Sequence, residues 1–462
     1  DYWSGFFSSR PTLKRFTRVS NILLQQIRQL NAVYQSNHSV ELDALQRAVG
    51  LVQHHDGLSG TEKQAVANDY ALRLNDGIIK AEEGMNRILS EAGAKEPYHL
   101  CLLANTSVCE VSTTNQEFEA LVHNALPRKS VEIISIPLAH PVATVQIIDG
   151  GGVIRRQDVY KALPVHPVSA VAPYSLVFSV ELPPLSLTRF HVKQDRPADF
   201  IGLRPSEEYT KMEGTAADDK VVTLENELMR VDIDAQTGFI RKLTNKKKRV
   251  EMPLSATMRY YHAYQLMQPS SGAYTFRPDG NKTYPVGRAA TENLTATLIN
   301  LAVDSDSASA SRVAFKIGDW VTLEYRLNDG DEFVEIEWTV GPVPIDDNVG
   351  KEVIFHFDTG NAIKSDKAFF TDSNGLEFMK RVRNHRDTWN LTLHDDVERV
   401  AANYFPITTG AYIKDSTRQL NVVTDRAQGA ASLQDGQFEV MVHRRLLADD
   451  NKGVAEPLNE TE

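Results

Sequence analysis

Residues 53–70 read QHHDGLSGTEKQAVANDY, and the architecture of the opening of the chain turns on where this stretch sits. Its first half is polar and carries Gly57 and Gly60, while apolar residues recur at helical spacing on either side. A loop between two helices is the reading that fits. Upstream, Leu42, Leu45, Val49 and Val52 share one face of a helix expected over 40–52. Downstream, a helix runs from about Thr61 to Ala92, with Thr61 as N-cap and Glu62 beside it at the positive end of the dipole. Further back, Leu13, Phe16, Val19, Leu23, Ile27, Leu30 and Tyr34 mark a third helix starting at Pro11, a residue suited to a first turn. Three helices joined by short loops pack as an antiparallel bundle.

After Pro97 the pattern changes to short alternating runs broken by Gly, Pro, Asn and Asp. Strands are expected at 143–149, 175–182, 221–234, 354–357, 411–414, 420–424 and 437–443. Residues 321–340 read as a hairpin, Leu323-Tyr325-Leu327 against Phe333-Glu335-Glu337, turned by Asn328-Asp329-Gly330-Asp331. So long a succession of strands argues for β-sandwiches. The fold class is therefore α+β multidomain: a three-helix bundle over 1–95, a small β-sandwich over 96–200 and a large one over 201–462. Pro197 to Asp219, charged and without periodicity, reads as the linker. A chain of 462 residues exceeds one ordinary core, in keeping with several domains.

A net charge of -11 disfavours nucleic acid as a partner, because phosphate binding needs a basic surface. No apolar run reaches the roughly 20 residues of a membrane span, and no signal peptide is visible at the front. The two cysteines, Cys101 and Cys109, are too far apart for a CxxC pair and too few to close a zinc site. A disulfide closing a small loop, about 2–3 kcal/mol by loop entropy, is the preferred reading, and two free buried thiols are the other. Sequons at Asn37, Asn105, Asn281, Asn293, Asn390 and Asn459 favour the secretory pathway.

The chemistry concentrates in Gln53-His54-His55-Asp56. Two imidazoles and a carboxylate followed by flexible backbone can be aimed into one cleft, and imidazole nitrogen suits Zn²⁺. A solvated capping loop is the plain alternative. The nine residues QHHDGLSGT, with VANDY at 66–70, resemble the helix-bundle segment of the family 38 α-mannosidases, usually QHHDA-[VI]-[ST]-GT. GFFSSRPTLKR at 5–15, SGAYTFRP at 271–278, FTDSNG at 370–375 and VHRRLLADDNKGV at 442–454 match further parts of that family. The Cys101–Cys109 spacing is similar to that of its lysosomal branch, where the pair is disulfide-bonded. The resemblance covers nearly the whole chain and implies a galactose-mutarotase-like large sandwich.

Members of the family are zinc-dependent retaining hydrolases that remove terminal α-mannose from N-linked glycans during glycoprotein breakdown. The resemblance implies His55 as a ligand to one zinc, His54 lining the pocket and Asp56 binding a mannose hydroxyl. Tyr274 and one of Arg444 and Arg445 would reach toward the substrate. Gly57 stands where alanine is usual and is expected to loosen the loop slightly. The family's catalytic α/β domain, with the remaining zinc ligands, the nucleophile and the acid/base, precedes this region, so no catalytic residue is expected in this chain. The His-x-Asp patterns at 356–358, 385–387 and 394–396 read as strand and surface residues.

These features imply a lysosomal or secreted protein whose partners are the N-terminal catalytic domain or chain and a mannose-containing oligosaccharide. A homodimer stays open. Alone, the chain is expected to be inactive, and the apolar segment Tyr2-Trp3-Ser4-Gly5-Phe6-Phe7 to be buried against something. A non-enzymatic glycan-binding or structural fragment is the alternative.

Overall fold

The computed structural model describes residues 2–163, 172–195, 221–286, 296–299 and 311–461. The expected linker and Asn293 lie outside the described residues. Three helices open the chain: α1 (Pro11–Val33), α2 (Ser39–Val52) and α3 (Gln64–Glu91). Leu24, Ile27, Leu45, Val52, Leu74, Ile78 and Ile88 are buried on their facing stripes and form one core. Each such side chain contributes roughly 1.5–3 kcal/mol by leaving water. Gly77 sets the closeness of α2 and α3, since a Cβ there would stand 2.7 Å from the Leu45 Cα. The helix α3 begins later than expected, at Gln64, because the Thr61 hydroxyl is committed elsewhere, donating to Asp56 Oδ1 at 2.9 Å.

A disulfide joins Cys101 and Cys109 between the bundle and the first strands. Two three-stranded antiparallel sheets follow, one of Glu117–His123, Val142–Asp149 and Leu187–Asp195, the other of Ser130–Leu138, Val153–Lys161 and Tyr174–Leu182. Leu176, Phe178, Val180 and Leu182 alternate inward from the second sheet onto Phe190 and Val192 of the first.

Beyond residue 221 a nine-stranded sheet is covered by two four-stranded sheets. Its centre is Val250–Ala263, Lys351–Asp358 and Gln437–Arg445, and it packs Met258, Phe355, Phe357, Phe438 and Val440 into the largest core. The 221–234 stretch is a hairpin, Val221–Glu225 paired with Met229–Asp234, rather than one strand. The hairpin at 321–340 forms, but in a different register: Leu323 faces Trp338 and Tyr325 faces Ile336. Phe333, Glu335 and Glu337 therefore lie on the other face, because a one-residue slip inverts every side chain of a strand.

The segment expected to be buried against something packs against this same chain, with Ser4 and Gly5 buried and Trp3 left about half exposed. Gly5 N–H and Phe6 N–H donate to the Tyr274 carbonyl at 3.1 and 3.2 Å, and Phe276 N–H donates to Tyr2 O at 2.8 Å. The Ser4 hydroxyl donates to Ala401 O at 2.9 Å. Behind this segment Arg444 and Glu352, both with 0% side-chain exposure, form an ion pair at 2.6 Å. The remaining Arg444 donors reach Ser9 Oγ at 2.8 Å and Thr275 O at 2.7 Å, and Ser271 donates to Glu352. One guanidinium thus joins a central strand, the 264–277 loop and the N-terminal segment.

Removing one partner of a buried pair leaves an uncompensated charge. Glu352→Gln should therefore lower stability by about 3–5 kcal/mol, and Glu352→Leu with Arg444→Met should restore much of it. Urea unfolding followed by tryptophan fluorescence reads both, and a loss below about 1 kcal/mol for the single change would contradict this account.

Candidate functional site

The 53–61 loop leaves α2 in a chain of tight turns: His54 N–H to Leu51 O at 3.0 Å, Gly57 N–H to His54 O at 2.8 Å, Leu58 N–H to Val52 O at 2.8 Å. Gly60 has φ +76°, and a Cβ on it would lie 2.4 Å from Ser9 O, so the loop is pressed against the N-terminal segment there. Gly57 does more than loosen the loop. A Cβ at that position would come within 2.7 Å of Val52 O, so alanine requires that carbonyl to move.

The turns bring His54, His55 and Asp56 together, with one potential ligand atom from each inside a 4.8 Å group. Asp56 Oδ2 lies 3.6 Å from His54 Nε2 and 3.5 Å from His55 Nε2, and the two rings are 4.3 Å apart. Asp56 Oδ1 accepts from the Tyr274 hydroxyl at 2.6 Å and from Thr61 Oγ1 at 2.9 Å. The Tyr274 hydrogen bond, ahead of every other influence, holds the Asp56 carboxyl below its ordinary range. Burial and then the Asp56 bond push the Tyr274 phenol up, so it remains the donor. The His55 side chain is 86% exposed and points its imidazole outward.

These donors fit part of a zinc site. Ligands about 2.0–2.2 Å from one ion stand roughly 3.3–3.6 Å from each other, near the two His–Asp separations here. Three residues fall one short of the four ligands usual for zinc. His54–His55–Asp56 is the single three-ligand group among the described residues. The three His-x-Asp patterns hold no such group: His356 meets Gln437 at 3.3 Å, His385 meets Asp387 at the surface, and Asp395 caps a short helix at 396–401.

Of the two arginines, Arg444 exposes no side-chain atom from which to touch a sugar, and it donates to the carbonyl of Thr275, the residue after Tyr274. Arg445 turns away, to Asn459 Oδ1 at 2.8 Å and Val343 O at 2.5 Å. Neither side chain is brought beside Tyr274 and Asp56 among the described residues: Arg444 is buried against Glu352, and the segment at Asn459 occupies Arg445. Trp3 lies beside Tyr274, ring centroids 5.6 Å apart, with the Lys452 ammonium 5.3 Å from its ring. The described sequon residues Asn37, Asn105, Asn281, Asn390 and Asn459 are all exposed. A cavity of about 2660 Å³ lies between the bundle, the disulfide loop and the large sandwich, and His54, His55, Asp56 and Tyr274 do not line it.

Sequence reasoning missed the buried charges beneath the loop. Lys14 Nζ donates to Ser9 O at 2.5 Å and Ser59 O at 2.8 Å, and burial pushes its ammonium down to about 7. Glu62 lies 3.4 Å from Arg10 Nε, and burial pushes its carboxyl up to about 7. Arg10 also binds Glu460 at 2.7 Å. A lone Lys or Glu in a helical pattern looks like a solvated one, and no local signal distinguishes these.

Residues 1–91 match the alpha mannosidase middle domain, and residues 224–452 match the glycosyl hydrolases family 38 C-terminal domain. The chain belongs to glycoside hydrolase family 38. It is 37% identical to lysosomal alpha-mannosidase from Bos taurus, over 99% of this chain and 43% of that protein. It is 36% identical to the Homo sapiens lysosomal alpha-mannosidase, over 99% and 44%, and 34% identical to a probable alpha-mannosidase of Arabidopsis thaliana, over 100% and 46%. The chain thus spans less than half the length of these relatives. A family 38 glycosyl hydrolase from Enterococcus faecalis shares the fold, with a TM-score of 0.55 at 14% identity, over 96% of this chain and 53% of that one.

Glu62 gives the pH prediction. Its carboxyl holds a proton more tightly folded than unfolded, so its contribution to stability is full below about 4.5 and lost as pH rises through about 7. Glu62→Gln should melt with wild type at pH 4.5 and above it at pH 7.5. Parallel melting curves across that window would sink the assignment.

Proposed function

We propose that the chain is part of a zinc-dependent retaining α-mannosidase that removes terminal α-mannose from N-linked glycans. The observation that carries this reading is the 2.6 Å hydrogen bond from Tyr274, in the β-region, to Asp56 in the His-His-Asp loop, 218 residues away. It fixes one Asp56 oxygen and leaves the other between two imidazoles, an acceptor surface sized for a metal and a sugar hydroxyl. His55 would hold the zinc, with His54 beside it and Asp56 receiving a hydroxyl. The ion, when bound, would coordinate sugar hydroxyls and favour the distorted ring of an oxocarbenium-like transition state.

The chain's own residues bind and orient. Asp56, kept ionised, accepts a hydrogen bond from the sugar; Tyr274, kept protonated, holds Asp56; Lys14 holds the Ser59 carbonyl of the loop. Retaining hydrolysis needs two carboxyl groups roughly 5–5.5 Å apart, and the reading assigns that pair to sequence outside residues 1–462. The exposed imidazole of His55 supports a shared site completed by that part. The disulfide, the exposed sequons and the lysosomal relatives support a secretory-pathway protein working in the lysosome.

The test is zinc content and hydrolysis of an aryl α-mannoside at acidic pH, for the chain alone and co-expressed with a family 38 N-terminal domain. One zinc and turnover are expected only in the combined sample, both abolished by His55→Ala. Turnover from the chain alone would move the ligands elsewhere, and inactivity in both samples would favour a glycan-binding or structural role.

A further inference from the structure

We propose that Asp450 is a positioning residue for this site: its carboxylate sets the place of the Tyr274 hydroxyl and, through it, of the Asp56 oxygen that meets the sugar. The inference rests on the reading of Asp56 as a hydroxyl acceptor. Asp450 is fully buried, and its Oδ2 accepts from Tyr274 N–H at 2.8 Å and Thr275 N–H at 2.9 Å, with Thr275 Oγ1 at 3.4 Å. The Tyr274 carbonyl is held from the other side by Gly5 and Phe6. Both polar atoms of the Tyr274 peptide are therefore fixed, one by a charge. Arg444 acts one residue further on, at Thr275 O, and Asp450 is the side chain that grips Tyr274 itself.

Two further observations concern how this carboxylate is seated. Asp450 Oδ1 is buried and accepts no hydrogen bond from the described residues, so its grip runs through Oδ2 onto Tyr274 and Thr275. The carboxylate also fits only because residue 272 is glycine, where a Cβ would come within 2.6 Å of the Asp450 Cβ and Cγ.

The test is a double-mutant cycle in the assembled enzyme, with an aryl α-mannoside as the probe and thermal midpoints measured in parallel. Tyr274→Phe should lower kcat/KM by about 10-fold, mainly through KM, as expected for a hydrogen bond to a charged group. Asp450→Asn, which keeps shape and loses charge, should lower it about 3-fold to 10-fold, with no further loss when added to Tyr274→Phe. Losses that multiply, or Asp450→Asn kinetics equal to wild type, overturn the positioning role. Should Asp450→Asn fail to fold, Gly272→Ala, which displaces the same carboxylate, enters the cycle in its place. If Tyr274→Phe alone changes nothing, the reading of Asp56 fails, and the positioning role falls with it.

Discussion

The Arg444–Glu352 ion pair is the contact on which the other arrangements depend. Two charges without solvent are tolerated only when their remaining lone pairs and protons are taken up, and here they are: by Ser9, Thr275 and Ser271. Those three partners belong to the N-terminal segment and the 264–277 loop. Satisfying one guanidinium therefore fixes both pieces against the central sheet. Tyr274 inherits its place from that, and Asp56 inherits its own from Tyr274.

Beneath the loop the logic is different. Around Arg10, burial works against the charges of Lys14, Glu62 and Glu460, so that Lys14 and Glu62 are pulled toward the same neutral range from opposite sides. The cluster ties α1 to the start of α3 and to the C-terminal segment, and it meets the loop at the Ser59 carbonyl. The candidate site thus has a rigid wall on the β side, set by fully paired charges, and a floor whose protonation follows the medium.

The helices were legible because their apolar periodicity is local: Leu42, Leu45, Val49 and Val52 predict α2 to within a residue of Ser39–Val52. The strands were legible as elements but not in register. The 321–340 hairpin was read with Phe333, Glu335 and Glu337 inward because the turn at 328–331 is longer than its residues suggest, and one position inverts the face. At the site, QHHD named His54, His55 and Asp56, and the resemblance named Tyr274. Adjacent positions put Arg444 and Arg445 on opposite faces of one strand, but which neighbour each meets depends on residues 264–277 and 459. Lys14, Glu62 and Asp450 gave no signal, since their surroundings are assembled from segments hundreds of residues apart.

The seating of the N-terminal segment has a consequence for the order of folding. Ser4 meets Ala401, and Ser9 meets Arg444, across separations of 397 and 435 residues. Contacts so distant in sequence close late, because the loop entropy of everything between must first be overcome. During synthesis residues 4–9 wait for the strand of Arg444, made hundreds of residues later, while the bundle beside them, built from local contacts, is already formed. The His-His-Asp loop is thus among the first parts of this chain to take shape, and its tyrosine partner is among the last to arrive.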